Sequence, residues 1–231
     1  MVYDAFKTIV FDFDYTLADS SPGIIQCARH ALESMDLSPT SDDAVCRTIG
    51  MSLKDAFEAL TSIDDPALAA EFSRLFITKA DDVMVDSTEL FDSTQSVIRA
   101  LKESGLCLGI VSTKYRHRIE AVLAREGLLD LIDVIIGGED VTCHKPDPEG
   151  LFKALEKLDT LSTSALYVGD SIIDAIVAER AGTPFLAVLS GTTTRDAFND
   201  YQRVGVIDNL AELPESLSRL RSASGKYLTL N

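Results

Sequence analysis

The sequence predicts an α/β fold in which a parallel β-sheet is covered by helices on both faces. Short apolar runs rich in β-branched residues recur along the chain, and segments of helical periodicity separate them. Such alternation is typical of parallel sheets that are buried on both faces. A long segment without strands follows the first apolar run, and it predicts a helical block inserted into the α/β unit.

Each predicted strand is short, apolar and bounded by polar residues or glycine, as a buried strand is. The predicted strands are residues 8–13, 107–112, 134–136, 165–168 and 185–189. The predicted helices between them are residues 93–103, 117–126, 149–157 and 174–181.

The inserted block spans residues 20–86, which contain amphipathic stretches but no strand-like run. Its first residues, Ser20-Ser21-Pro22, predict a helix start, because serine caps helices and proline suits the first turn. We therefore predict one domain of residues 1–18 and 89–231 and a helical domain of residues 19–88. Residues 221–231 mix small and polar side chains and predict a loosely held end.

Composition narrows the function. The 231 residues are 46% hydrophobic, which is enough for a substantial core, and 37 acidic residues against 21 basic ones give a net charge of −16. This charge disfavours nucleic acid or an anionic membrane as a partner. Four widely spaced cysteines without a CxxC pair, and no leader-like or membrane-length apolar run, predict a cytoplasmic protein. We expect a small metabolite as partner, and the sequence leaves the oligomeric state open.

Two carboxylates, Asp12 and Asp14, stand where the first strand ends. An isolated pair of this kind is equally typical of a solvated loop, so this motif alone does not decide the function.

Polar residues also end or follow later strands. Ser112-Thr113-Lys114 stands at the end of the second predicted strand, and Lys145 stands directly before Pro146. Asp170 ends the fourth predicted strand, and Asp174 follows four residues later. Because open α/β sheets bind ligands beyond the carboxyl ends of their strands, we expect one site there. Lys114 stands beside Ser112 and could also face the cleft, although a lysine on a surface helix is the simpler interpretation.

Together these residues resemble the motifs of the haloacid dehalogenase superfamily. The matching segments are Asp12-x-Asp14-x-Thr16-Leu17, Ser112, Lys145-Pro146 and Gly169-Asp170-Ser171-x-x-Asp174. The resemblance covers nearly the whole chain and implies a Rossmann-like core with an inserted α-helical cap. Residues 137–141 are similar to the segment that precedes the lysine in phosphoglycolate phosphatases and bacterial pyrophosphatases.

Two residues depart from the family pattern. Tyr15 stands where relatives usually have glycine, so we expect its side chain to line the cap interface or narrow the substrate opening. Ser112-Thr113 replaces the frequent threonine-asparagine pair without removing the hydroxyl group.

The resemblance implies a magnesium-dependent phosphatase that hydrolyses a small organic phosphate monoester through an aspartyl phosphate. Asp12 would be the nucleophile, Asp14 the general acid and base, and Lys145 the cation beside Asp12. Hinges of the cap are expected near residues 18–19 and 84–90.

The resemblance also implies the binding groups. Mg²⁺ would be held by Asp12, Asp170 and the backbone carbonyl of Asp14, with Ser171 and Asp174 orienting these ligands. Ser112 and Thr113 would hold the phosphoryl oxygens, and Lys54 would either bind an anionic group of the substrate or remain a solvated helix lysine.

The same motifs leave some other reactions open and disfavour others. A pyrophosphatase and a β-phosphoglucomutase-like phosphosugar mutase remain alternatives, because they share these motifs. Dehalogenation is disfavoured by Asp14, and phosphonate hydrolysis by Lys54, which is one position away from the required cap lysine. A non-enzymatic scaffold would not need Asp12, Asp14, Lys145 and Asp170 together.

Overall fold

The chain forms a six-stranded parallel sheet, into which a helical segment is inserted. The structure is a computed structural model that describes residues 6–227, with side chains described as far as residue 220. The elements in chain order are β1 (Thr8–Phe11), β2 (Ala18–Asp19), α1 (Ser21–Ser34), α2 (Asp42–Cys46), α3 (Leu53–Thr61), α4 (Pro66–Val83), β3 (Glu89–Leu90), α5 (Thr94–Glu103), β4 (Cys107–Val111), α6 (Arg116–Arg125), β5 (Val134–Ile136), α7 (Glu149–Lys157), β6 (Ala165–Gly169), α8 (Ile172–Ala181), β7 (Phe185–Val188), β8 (Gly205–Ile207) and α9 (Leu213–Tyr227).

The strand order is β5-β4-β1-β6-β7-β8, and every neighbouring pair is parallel. β1 lies in the middle and is fully buried, and its side chains alternate between two cores. Ile9 and Phe11 pack with α5, α6 and α9, whereas Val10 packs with α7 and α8. Helices therefore cover both faces, and the predicted α/β class is confirmed.

The five predicted strands are all present, with ends that differ by at most two residues. Strand β8 and helix α9 were not predicted. Residues 221–227 continue α9, whose first part is anchored in the core by Leu213 and Leu217, and the expectation of a loosely held end stays a prediction. Residues 228–231 lie outside the described part of the chain.

Helices α1 to α4 form a separate hydrophobic cluster between β2 and β3. Its centre is a row of aromatic rings, with Phe57 and Phe72 centroids 5.4 Å apart and Phe72 and Phe76 centroids 6.0 Å apart. The flanking strands β2 and β3 pair antiparallel with each other. The predicted domain boundaries at residues 18/19 and 88/89 stay a prediction.

Two arginines of α6 connect the sheet domain to the inserted helices. The Arg118 guanidinium donates to Asp81 Oδ1 at 2.6 and 3.1 Å and to the Ile77 carbonyl at 3.1 Å, both in α4. Arg125 donates to the carbonyls of Val85 and Thr88 at 2.7 and 2.6 Å. These bonds fix α4 and the following linker against α6.

Across residues 6–227, none of the helices combines the length and the apolarity that crossing a membrane requires.

Candidate active site

Buried polar side chains meet at the carboxyl ends of the central strands. Asp12 follows β1, Ser112 follows β4 and Asp170 follows β6, and each is at most 6% exposed. Parallel strands bring these positions to one edge of the sheet, as the sequence predicted.

Lys145 is the cation at the centre of this edge. Its Nζ lies 2.9 Å from Asp12 Oδ1 and 2.8 Å from Asp174 Oδ1, and it also stands over the Tyr167 ring. Burial alone would lower the pKa of Lys145, but the two carboxylates raise it well above its ordinary value. Lys145 therefore stays charged at neutral pH.

Asp174 is held by donors on both of its oxygens. Oδ1 accepts from Lys145 and from the Tyr167 hydroxyl at 3.0 Å, and Oδ2 accepts from the Ser171 hydroxyl at 2.6 Å and its N–H at 3.2 Å. Ser171 in turn caps α8 by accepting from the Asp174 N–H. With its oxygens already occupied, Asp174 is placed to orient its neighbours.

Asp12, Asp170 and Asp174 form an acidic cluster whose oxygens lie within 4.8 Å of one another. Burial raises the pKa of Asp12 to about 7, with Asp174 adding to the rise and Lys145 opposing it. Burial raises the pKa of Asp170 well above its ordinary value, and the Asp174 and Asp12 carboxylates add to this rise. Only one ammonium, that of Lys145, touches these three acids among the described residues. Hard carboxylate oxygens with excess negative charge fit a magnesium ion.

Asp14 is not part of this cluster and has other partners. Its Oδ1 accepts a hydrogen bond from the Ser20 hydroxyl and lies 3.2 Å from Lys114 Nζ. The interpretation of Lys114 as a surface helix lysine is wrong, because it lies in the loop before α6 and is 8% exposed. Ser20 stands at the N-cap of α1 as predicted, yet its hydroxyl makes no capping bond and turns to Asp14 instead.

Tyr15 adopts φ 59°, the left-handed conformation that glycine enters without strain. This geometry explains why glycine is usual at the position. The Tyr15 carbonyl accepts from Ser190 at 2.5 Å, and its side chain lies beside Ser21 of α1 and Cys46 of α2. Burial, followed by the contact with Cys46, raises the pKa of the Tyr15 hydroxyl. The tyrosine therefore spans from the loop after β1 to the inserted helices.

The loop after β4 is fixed by the turn at residues 137–140. The Gly138 N–H donates to the Lys114 carbonyl at 3.0 Å, and a side chain at Gly138 would collide with the Thr113 carbonyl. The Lys114 N–H donates to Ser112 Oγ at 3.2 Å. These contacts account for the glycine pair and hold Ser112 and Thr113 at the sheet edge.

A cavity of about 400 Å³ lies between this edge and the inserted helices. Asp14, Thr113 and Lys114 line its sheet side, and Met51 and Phe76 lie among the residues from the helical segment. Lys54, in the first turn of α3, is exposed and lies at the rim, so its role in substrate binding stays a prediction.

Sequence reasoning missed the contributions of Ser20 and Tyr167, and it gave Thr16 of the Asp12-x-Asp14-x-Thr16 motif no role of its own. Thr16 donates to Asp170 Oδ1 at 3.3 Å. Tyr167 left a signal, because a phenol in the middle of a fully buried strand needs a hydrogen-bond partner. Ser20 left none, because a serine before a helix predicts a capping bond and not the bond to Asp14 that its hydroxyl makes.

Comparisons with known proteins agree with this geometry. Residues 9–188 match the family described as haloacid dehalogenase-like hydrolase. Phosphoglycolate phosphatase from Rhodospirillum rubrum is 30% identical over 220 residues, which cover 91% of this chain and 90% of that protein. Pyrophosphatase PpaX from Bacillus cereus strain B4264 is 30% identical over 214 residues, which cover 93% of this chain and 97% of that protein. A solved haloacid dehalogenase-like hydrolase from Bacteroides fragilis has 44% sequence identity and a TM-score of 0.88, and the match covers 90% of this chain and 99% of that one.

Proposed function

Because this chain belongs to the haloacid dehalogenase-like hydrolases, we propose that it is a magnesium-dependent phosphatase of a small organic phosphate monoester. The observation that carries the proposal is the placement of two carboxylates with separate cations. Asp12 is held by Lys145 on the side of the acidic cluster, and Asp14 is held by Lys114 on the side of the cavity.

In the first half-reaction, an Asp12 carboxylate oxygen attacks phosphorus. The bond from phosphorus to the ester oxygen breaks, and the departing oxygen takes both the bonding electrons and the proton of Asp14. The products are an aspartyl phosphate and a free alcohol. Lys145 touches the attacking carboxylate, and it is placed to balance negative charge as the new bond forms.

In the second half-reaction, water attacks the phosphorus of the aspartyl phosphate. The Asp14 carboxylate accepts the proton of that water, and the bond between Asp12 and phosphorus breaks with its electrons returning to Asp12. Inorganic phosphate leaves, and both aspartates regain their starting protonation states.

Asp12, Asp170 and the backbone carbonyl of Asp14 would hold the magnesium ion, oriented by Asp174 and Ser171. When bound, the ion supplies positive charge that offsets the repulsion between Asp12 and the phosphoryl oxygens. Ser112 and the Thr113 N–H would bind those oxygens from the other side. The crowding of Asp12 and Asp170 supports this assignment, since both pKa values are raised by burial and by neighbouring carboxylates.

The test is phosphate release from a panel of phosphate monoesters and pyrophosphate, with and without Mg²⁺. We expect activity that requires the metal and falls at least about 10³-fold in Asp12→Asn, which removes the nucleophile. Asp64→Asn, an exposed aspartate of the helical segment, is the matched control and keeps full activity. Turnover that survives in Asp12→Asn would contradict the phospho-aspartate.

A phosphosugar mutase would share these residues. Transfer of ³²P from a labelled sugar phosphate to a hydroxyl of a second sugar monophosphate, which yields a sugar bisphosphate instead of inorganic phosphate, would identify that reaction. The acidic composition and the widely spaced cysteines support a metabolite partner and a cytoplasmic location, which we also propose.

A further inference from the structure

We propose that the alcohol released by this phosphatase is an uncharged, mainly apolar molecule. In the bound substrate, its organic group occupies the cavity between the sheet edge and helices α1 to α4. This inference rests on the proposed function and names the substrate class of the same site.

The position of the cavity relative to the two aspartates determines what enters it. Asp14 and Thr113 line the cavity, whereas Asp12 and Asp170 do not. In the proposed reaction the phosphoryl group sits on Asp12, and the departing oxygen is next to Asp14, which gives it a proton. The organic group attached to that oxygen therefore extends past Asp14 into the cavity.

The walls of the cavity are mainly apolar. Buried side chains contribute Phe72, Phe76 and Met84, which also belong to the core of the inserted helices. Partly buried apolar side chains complete the wall: Ile24, Ile49, Met51, Leu53, Leu60 and Ile77. Surfaces of this composition bind a ligand by removing its apolar area from water.

The cationic side chains at the cavity are either paired or exposed. Lys114 lies 3.2 Å from Asp14, and the buried Arg118 donates to Asp81 and to the Ile77 carbonyl. Lys54 and His144 are exposed at the rim. A carboxylate or phosphate inside the cavity would lose its hydration without gaining a free charged partner, which is costly.

The size of the cavity also favours a substrate with a large apolar group. Its volume of about 400 Å³ falls in the range of roughly 300–1,000 Å³ that holds ligands of drug size. At about 30 Å³ per water molecule, it has room for roughly 13 waters. A two-carbon acid or a second phosphate group would leave most of this apolar wall uncovered.

The experiment is a series of alkyl phosphates whose alcohols have similar acidity, so that only the size of the organic group changes. Methyl, butyl, cyclohexylmethyl and 2-phenylethyl phosphate form the series, and phosphoglycolate and pyrophosphate are the charged comparisons. We expect kcat/KM to rise along the series by up to about fourfold per methylene, the fold-change equivalent to about 0.8 kcal/mol. Phosphoglycolate and pyrophosphate should fall below butyl phosphate.

Variants locate the effect in the cavity. Ser73→Leu places a larger side chain in the wall, and the ratio of kcat/KM for 2-phenylethyl to methyl phosphate should fall at least tenfold. Ser34→Leu is the matched control, because both serines bond the carbonyl four residues earlier in a helix, but Ser34 is exposed and outside the cavity. Met51→Asp gives a second test in the loop before α3 and should lower the same ratio. Thermal melts identify which variants are folded.

The outcomes separate the two proposals. Preference for phosphoglycolate or pyrophosphate over every alkyl ester, or an unchanged ratio in folded Ser73→Leu and Met51→Asp, would overturn the apolar substrate class and leave the phosphatase intact. Failure to release phosphate from any compound would overturn the phosphatase itself.

Discussion

Among single residues, Lys114 and Ser20 have the least expected positions. Both contact the same oxygen of Asp14 from different segments, Ser20 from the start of α1 and Lys114 from the loop after β4. The proton-transferring carboxylate of the proposed reaction therefore has its rotamer fixed from two directions. Fixed geometry matters here, because small displacements of a reacting group lower rates strongly.

We expect Lys114→Met to lower kcat by about 10- to 100-fold, the loss typical of a misplaced catalytic group. Ser20→Ala should cause a smaller loss, because Lys114 remains. Lys157→Met, which removes an exposed lysine at the end of α7, is the control. Steady-state kinetics at saturating substrate give the comparison, and equal kcat for Lys114→Met and the control would contradict the role of Lys114.

The sequence predicts the positions of some site residues in the fold but not of others. Asp12, Ser112 and Asp170 are predictable, because each directly follows a buried parallel strand and such strands share one edge. The position of Lys114 is not predictable, since the segment Ser112-Thr113-Lys114 is equally compatible with an exposed loop or helix. Its burial depends on the pairing of the 137–140 turn with the β4 loop, which is a contact between segments distant in sequence.

Among the elements, α6 connects the two parts of the chain. Arg118 is 4% exposed and reaches α4, and the last residue of the helix, Arg125, binds the carbonyls of the linker after α4. The backbone carbonyls of residues 85 and 88 therefore have partners from the sheet domain. Any motion of the inserted helices away from the sheet must break these bonds.

Asp81→Asn should weaken the contact between α6 and α4, because Arg118 loses its charged partner while staying nearly buried. We expect faster amide hydrogen exchange in residues 84–90, by about three- to tenfold, which corresponds to about 0.7–1.4 kcal/mol. The adjacent Asp82→Asn is the matched control, since Asp82 is exposed on the same helix turn. If both variants exchange alike, Arg118 does not restrain the linker.

Strand β8 and helix α9 were missed by the sequence patterns for different physical reasons. Strands β1, β4, β6 and β7 are nearly continuous apolar runs, as buried parallel strands are. Edge strands β5 and β8 both have three residues, but β5 is the apolar run Val-Ile-Ile and is fully buried, whereas β8 begins with Gly205 and is buried only at Ile207. Helix α9 consists mostly of polar and small residues, which is why its sequence did not predict a helix.

At the scale of the whole molecule, acidic charge is in excess both overall and inside the site. The net charge is −16, and two of the buried aspartates carry raised pKa values. A raised folded-state pKa means that the folded state binds protons more readily than the unfolded chain. The resulting stability is fully present below about pH 4 and is lost as pH rises through the folded value, about 7 for Asp12.

Without divalent metal, Tm should therefore fall as the pH is raised from 5 to 8. Asp170→Asn should reduce this fall, since it removes one of the crowded charges, and 5 mM Mg²⁺ should raise Tm of the wild type at pH 8. For a chain of this length about 1 kcal/mol changes Tm by roughly 2–4 °C, which calorimetry resolves. Asp64→Asn should follow the wild type. A steeper fall in Asp170→Asn would contradict the assigned charge crowding.

The pairing of β2 with β3 has a consequence for how this architecture can vary. Ala18 stands opposite Leu90 and Asp19 opposite Glu89, so the polypeptide departs and returns at adjacent points. A short hairpin turn would bridge the same gap without disturbing the order of the six-stranded sheet. A different insert grafted between β2 and β3 would therefore start and end at the same two strands, and β2 begins at Ala18, which bridges to Asp14.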